Sequence, residues 1–160
     1  MTLMFSIGDK VACPLHGAGI IENIEKRQSL NKQTDYLVVR LLGLGMRIII
    51  PVASAYESGI RNVISKDDAK KLLLSFPELD FEFENNWTKR YRENMERLKS
   101  GNITEVARVY KFLAERNKEK GLSAGERKML QSSKQILISE LMLSLDCPKV
   151  EAEEALNNAI

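Results

Sequence analysis

The spacing of apolar residues changes near residue 65, and this change limits the folds open to the chain. Before it, short β-branched runs such as 20–24 and 48–50 alternate with turn residues. After it, apolar residues recur every three or four positions over long segments. Runs of strands followed by runs of helices indicate separate layers rather than an alternating α/β fold. We therefore predict a β-domain over residues 1–63 and an all-helical domain over residues 64–160.

The β-domain is predicted to be a small antiparallel barrel or a strongly bent sheet, because its strands are short and its connections contain few residues. The segment SLNKQT at 29–34 is interpreted as a polar loop, and GLG at 43–45 as a hairpin turn. Gly17 and Gly19 lie where one strand begins, so a tight bend or a bulge is expected there.

The helical domain is predicted to contain about five helices, because start and stop signals recur along it. Predicted N-caps are Ser65, Asn85 or Asn86, and Ser123, and predicted terminating glycines are Gly101 and Gly121. The order SAGE places Glu126 three residues after Ser123, which is the spacing of a capping box. Pro148 suits the first turn of a short final helix.

Charge is distributed unevenly, although the net charge is only +2. Residues 87–134 carry thirteen basic and six acidic side chains, a balance of +7, which leaves −5 for the rest of the chain. A basic helical segment in an otherwise acidic protein indicates contact with a polyanion. A solvated helical surface with ion pairs between residues four apart explains the same composition, and charge alone leaves both interpretations open.

The residues needed for catalysis are not arranged in a recognisable pattern. His16 is the only histidine, and a lone histidine beside glycines more often hydrogen-bonds a bend than acts as a base. Cys13 and Cys147 have no CxxC spacing, so neither a metal site nor a disulfide framework is expected. No phosphate-binding glycine motif and no bilayer-length apolar run is present in the sequence. We expect a cytoplasmic, non-enzymatic protein without cofactor or metal.

The only tryptophan lies in the segment NNWTKRYRENMERL at 85–98. On a helix, Trp87 shares one face with Tyr91, Met95 and Leu98, and this periodicity favours a core position. Its place in the first turn, beside Lys and Arg, also suits an apolar wedge that enters a minor groove while cations neutralise phosphates. Patterning alone does not choose between these two roles.

Four segments together resemble the CarD/CdnL family of bacterial transcription regulators. They are MFSIGDKVACPLHGAGIIENIEKR at the N-terminus, IIIPV at 48–52, NWTKRYRENMERLKSG at 86–101 and GLSAGERKML at 121–130. The resemblance implies a Tudor-like antiparallel β-barrel that binds the RNA polymerase β subunit. It also implies a helical domain that contacts promoter DNA without reading sequence, at the upstream edge of the melted bubble, and stabilises the open complex. The chain itself is expected to be a monomer.

The resemblance also assigns roles to individual residues. Trp87 is implied to be the minor-groove wedge, and the expected DNA contacts beside it are Lys89, Arg90, Arg92, Arg127 and Lys128. For the polymerase, the resemblance implies contacts at Arg27 and at the position of Ile49, where the family has a basic residue. Arg47 lies on the same side of that strand by its period of two, so we infer that it replaces the basic contact.

Two other functions fit parts of the sequence. One is a sequence-specific DNA-binding regulator, although no helix groups Asn, Gln and Arg for reading base edges. The other is a protein-interaction module whose basic face is merely solvated. Charge reversal at Lys89, Arg92 and Arg127 separates this last alternative from a DNA-binding role.

Overall fold

A computed structural model describes residues 5–30, 32–43, 45–80 and 84–160. The strands are β1 (Lys10–Cys13), β2 (Gly17–Ser29), β3 (Lys32–Leu41), β4 (Arg47–Pro51) and β5 (Arg61–Asn62). The helices are α1 (Lys66–Ser75), α2 (Trp87–Lys99), α3 (Ile103–Glu119), α4 (Ala124–Leu145) and α5 (Lys149–Ala159). Two short 3₁₀ turns occupy Val52–Ser54 and Phe76–Glu78. A sheet domain followed by a five-helix domain confirms the predicted order of layers.

The five strands form one antiparallel sheet in the order β4-β3-β2-β1-β5. Its inner face packs a core around Val11, Ile21, Leu37 and Val39. The predicted closure into a barrel is not found, because the outermost strands β4 and β5 do not pair in the described parts of the chain. β5 has only two residues, and both of them pair with β1. It is therefore too short to close the sheet.

The prediction of a polar loop at 29–34 is wrong, because β2 and β3 continue pairing as far as Ser29 and Lys32. Only Leu30 and Asn31 separate the strands, and Asn31 lies outside the described residues. The result is a two-stranded arm that extends beyond the rest of the sheet. Both faces of such an arm meet water, so its sequence lacks the apolar alternation by which strands are recognised.

The bend between β1 and β2 is confirmed at Gly17, which has φ of +92°. Gly19 is needed for a different reason: a Cβ there would lie 2.5 Å from the carbonyl oxygen of Arg40 on β3. The irregular register of β2 falls further along, between Ile21 and Asn23, so the bulge and the bend are separate features.

Three predicted N-caps are confirmed by their hydrogen bonds. The side chains of Ser65, Asn86 and Ser123 each accept from a backbone N–H of the first turn of α1, α2 and α4. Gly101 and Gly121 follow α2 and α3, both with φ of +74°. The domain core includes Leu98, Val106, Leu113, Leu137 and Leu156, which come from four helices and are almost fully buried. None of the described helices is long and apolar enough to cross a membrane.

Candidate nucleic-acid interface

The first turns of α2 and α4 meet at one end of the helical domain, which we call the tip. Asn86 Oδ1 accepts from the Lys89 N–H at 3.1 Å, and Ser123 Oγ accepts from the Glu126 N–H at 3.2 Å. The Trp87 indole Nε1 donates to Ser123 Oγ at 3.1 Å and so joins the two caps. Two helix N-termini with partial positive charge therefore lie side by side.

A buried ion pair holds the two helices together at the tip. The Arg90 Nε and Nη2 atoms donate to the two Glu126 carboxylate oxygens at 3.1 and 3.3 Å, and both side chains are almost fully buried. Arg90 Nη1 also donates to the carbonyl oxygens of Glu84 and Asn85, each at 3.3 Å. These four bonds use four of the five N–H groups of the guanidinium, and Arg90 is withdrawn from solvent. The expectation that Arg90 contacts DNA is therefore corrected: its role here is structural.

The same pair changes the interpretation of the capping box. Ser123 caps α4 as predicted, but the Glu126 carboxylate turns to Arg90 instead of to the Ser123 N–H. The spacing of SAGE identified the helix start, whereas the partner of Glu126 lies 36 residues earlier in the chain. No pattern within a few residues of the sequence predicts such a distant ion pair.

Trp87 is held in position but is not buried. Its ring stacks on Tyr91 with centroids 5.2 Å apart and planes 18° apart, and 44% of the residue remains exposed. Gly125 lies against the same rings: a Cβ there would be 3.6 Å from Trp87 Cζ2 and 3.4 Å from Tyr91 Cε2. Tyr91, Ser123 and Gly125 thus support the indole; the sequence patterning placed Tyr91 on its face but did not identify Ser123 or Gly125 as its neighbours.

The other predicted DNA contacts are exposed around the tip. Lys89 and Arg92 project from the solvent side of α2, roughly opposite the face that packs on the domain. Arg127 and Lys128 are exposed in the first turns of α4. Lys89 pairs with exposed Glu84 at 3.4 Å, whereas the other three form no ion pair within the described part of the chain. On α2 these cations therefore lie on the opposite side of the helix from the indole.

The predicted polymerase contacts lie on the sheet. Arg47 and Ile49 are exposed on β4, an edge strand. Arg47 donates to both Glu22 oxygens, at 2.5 and 3.1 Å, and this hydrogen bonding lowers the pKa of Glu22. Arg27 is exposed on the two-stranded arm and bonds Glu25 through Nε and Nη2, at 3.3 and 3.2 Å.

The strand register places these three residues on one face. Ile49 pairs with Val38, and Val38 pairs with Asn23. Arg27 lies four residues after Asn23 on β2, which is about 13 Å from Asn23 along the strand. Inward-facing Leu37 and Val39 flank Val38, so this row and the Arg27 row point away from the sheet core. Three residues spread over this distance can belong to one protein interface, to which each partner ordinarily contributes roughly 800 Å² of surface.

The described residues hold no group of three His, Cys, Asp or Glu side chains that could bind a metal ion. Burial raises the pKa of Cys13 to about 11, so its thiol is protonated and a poor nucleophile at neutral pH. His16 is exposed in the turn after β1, where its backbone N–H donates to the Cys13 carbonyl.

Comparison with known proteins connects this architecture to transcription. Residues 5–64 match the family model described as "CarD-like/TRCF RID domain", and residues 71–157 match "CarD, C-terminal domain". The chain is also 38% identical over 138 residues to "Putative transcription factor YdeB" of Bacillus subtilis (strain 168). That alignment covers 86% of this chain and 90% of the relative.

The fold and the two matches define a class: a non-enzymatic transcription regulator with an RNA polymerase-interacting sheet domain and a helical domain. Within this class, the chain belongs to the CarD family. The predicted family membership is therefore confirmed.

Proposed function

We propose that the protein binds the RNA polymerase β subunit through its sheet and stabilises the open promoter complex through its tip. The tip contacts DNA at the upstream edge of the bubble without reading its sequence. The observation that carries this proposal is Trp87: a tryptophan fixed by a hydrogen bond and a stacked ring, yet 44% exposed at the end of the domain that also carries the exposed cations. Exposed aromatic rings beside basic groups suit insertion between bases that have lost their stacking.

Binding to the DNA backbone rests on Lys89, Arg92, Arg127 and Lys128, assisted by the N-termini of α2 and α4. If each cation neutralises one phosphate, the slope of log K against log salt on duplex DNA is about −3 to −4. So few contacts give weak affinity at physiological salt. Since Lys and Arg contacts with phosphates carry no sequence information, another partner must bring the protein to a promoter.

Polymerase provides that location by tethering the tip near the bubble, which raises its local concentration there. On the sheet, Arg27, Arg47 and Ile49 form the proposed contact surface. Ile49 brings an apolar side chain to a position that is basic in the family, while Arg47 keeps a cation on the same face two residues earlier. Glu22 already orients the Arg47 guanidinium, so less side-chain freedom is lost on binding.

The indole favours the open state because it finds its full contact only where the minor groove is distorted. A ligand shifts an equilibrium by its difference in affinity for the two states. Stacking of an aromatic ring on one base contributes about 1–3 kcal/mol. This difference increases the ratio of open to closed complexes about 5- to 150-fold.

The test is the half-life of open complexes formed by purified polymerase with and without the protein. The wild type is expected to lengthen it, and Trp87→Ala is expected to lose most of this effect while polymerase binding and the cooperative melt persist. Leu74→Ala, which removes an apolar side chain that is 80% exposed on α1, is the matched control and should behave as the wild type. Loss of the cooperative melt in Trp87→Ala would instead assign the ring to the core.

Charge reversal tests the two surfaces separately. Arg27→Glu should abolish the effect by weakening polymerase binding, with affinity for free DNA unchanged. Reversal at Lys89, Arg92 and Arg127 should abolish the effect with polymerase binding unchanged. Unaltered promoter complexes in the triple variant would favour an interaction module without DNA contact, and a salt-resistant footprint on free DNA would favour a sequence-specific regulator.

A further inference from the structure

Side chains of the sheet and of the helical domain are joined by a network that we call the joint. Arg61 of β5 donates from Nη1 and Nη2 to the two Glu140 carboxylate oxygens of α4, at 2.7 and 2.9 Å. Glu140 is almost fully buried and also accepts from the Ile64 N–H at 2.8 Å. Arg61 Nε donates to the Gly101 carbonyl, after α2, at 2.8 Å. One guanidinium therefore connects β5 with α4 and with the turn that follows α2.

A second set of contacts brings the backbones of the two domains together. The Ala18 N–H of β2 donates to Ser139 Oγ of α4 at 2.8 Å, inside the protein. A Cβ on Gly17 would lie only 2.7 Å from that same oxygen, so this approach requires glycine. Lys10 Nζ also donates to the Leu143 carbonyl at 3.2 Å. The second half of α4 is thus fixed to the sheet by bonds on consecutive turns.

The first half of α4 carries the tip. Glu126, which pairs with Arg90, lies fourteen residues before Glu140, or about 21 Å along one continuous helix. The helix that supports the indole at one end is therefore the helix that docks on the sheet at the other. An uninterrupted helix does not bend readily over this length, because a kink needs a proline, a bulge or an inserted group.

We infer that Arg61 and Glu140 are positioning residues for open-complex stabilisation. They contact neither DNA nor polymerase; they fix the angle at which the tip leaves the sheet. This inference rests on the function proposed above and adds to it that the two binding surfaces work only in one mutual orientation. Tethering raises the affinity of a second binding surface only when the geometry allows both surfaces to bind at the same time. Loosening the joint should therefore prevent the sheet and the tip from binding polymerase and DNA together, while each surface keeps its separate affinity.

The test variant is Arg61→Met with Glu140→Gln, in which the Gln oxygen still accepts from the Ile64 N–H. Removing both charges avoids a buried unpaired carboxylate, so folding is retained. The matched control is Arg108→Met with Glu105→Leu, which removes the Glu105 ion pairs with Arg108 of α3 and Arg97 of α2 and leaves Arg61 and Glu140 unchanged. Arg61→Lys is a milder second variant: it keeps a cation for Glu140 and loses the bond to Gly101.

Three quantities are measured for each variant. They are the affinity for an isolated β-subunit fragment, the affinity for duplex DNA at low salt, and the open-complex half-life with whole polymerase. The joint variant is expected to keep both affinities and to shorten the half-life about fivefold or more, the size of an ordinary coupling between two sites. Arg61→Lys should fall between it and the wild type, and the α3 control should match the wild type.

Spin labels on Ser58→Cys and Lys120→Cys, in a Cys147→Ser background, report the relative position of the domains. One narrow distance distribution is expected in the wild type and a broader one in the joint variant. An unchanged half-life or an unbroadened distance distribution in the joint variant would overturn the inference, as would parallel loss of either separate affinity. A wild type that does not extend the half-life would refute the proposed function instead, so the two failures are distinguishable.

Discussion

Replacing Arg90 by alanine should unfold the tip rather than merely remove a DNA contact. The substitution leaves the Glu126 carboxylate buried and without its cation, since Arg90 makes both of the bonds recorded for that carboxylate. Breaking one side of a buried pair costs about 3–5 kcal/mol. The free energy of unfolding of a domain is only about 5–15 kcal/mol, so this loss is a large share of the total.

For a chain of this size each kcal/mol lowers the melting temperature by about 2–4 °C, which predicts a fall of about 6–20 °C for Arg90→Ala. Thermal unfolding followed by circular dichroism measures it. The matched control is Arg92→Ala two residues along α2, where the side chain is exposed. That control should change stability by less than about 0.5 kcal/mol while reducing the salt slope of DNA binding by about 1.

A double variant separates loss of the pair from loss of packing. Arg90→Met with Glu126→Leu removes both charges and keeps apolar volume, so its stability should recover to within about 1 kcal/mol of the wild type. A structural role for Arg90 is refuted if Arg90→Ala melts as the wild type and loses DNA affinity to the same extent as Arg92→Ala. That result would mean that the guanidinium is free for DNA.

Ionisable groups elsewhere make further predictions. Because burial protects the Cys13 thiol, iodoacetamide should alkylate the native protein at partly exposed Cys147 and not at Cys13, as peptide mapping measures. Burial raises the pKa of Cys13 from 9.0 to about 11, so the native state holds this proton more tightly than the unfolded chain. Stability should therefore be full below pH 9 and fall by about 3 kcal/mol towards pH 11, a loss that Cys13→Ala removes in urea titrations. The hydrogen bonds from Arg47 lower the pKa of Glu22. The stability that this pair contributes is therefore present above the ordinary carboxyl pKa and is lost as the pH falls through the lowered pKa. Glu22→Gln should remove this dependence of stability on acidic pH.

Local signals in the sequence were sufficient for the helix boundaries and insufficient for the contacts between elements. Ser65, Asn86 and Ser123 are recognised as caps because a cap depends on residues within one turn. The partner of Glu126 is 36 residues away, and Arg61 is 79 residues from Glu140, so no periodicity links them. The charged residues that stabilise the tip and the joint were accordingly indistinguishable, in the sequence, from cations and anions on a solvated surface.

The position of Trp87 shows how periodicity and exposure come to differ. A period of 3.6 residues determines the face on which a side chain lies, and that face of α2 does pack inward at Asn94 and Leu98. Periodicity does not determine how far the neighbouring helix extends. Opposite Trp87 that helix is only beginning, with Ser123 as its cap and Gly125, which has no side chain, in its first turn. The indole therefore belongs to the packing face by its spacing and stays open to a partner because the covering helix starts there.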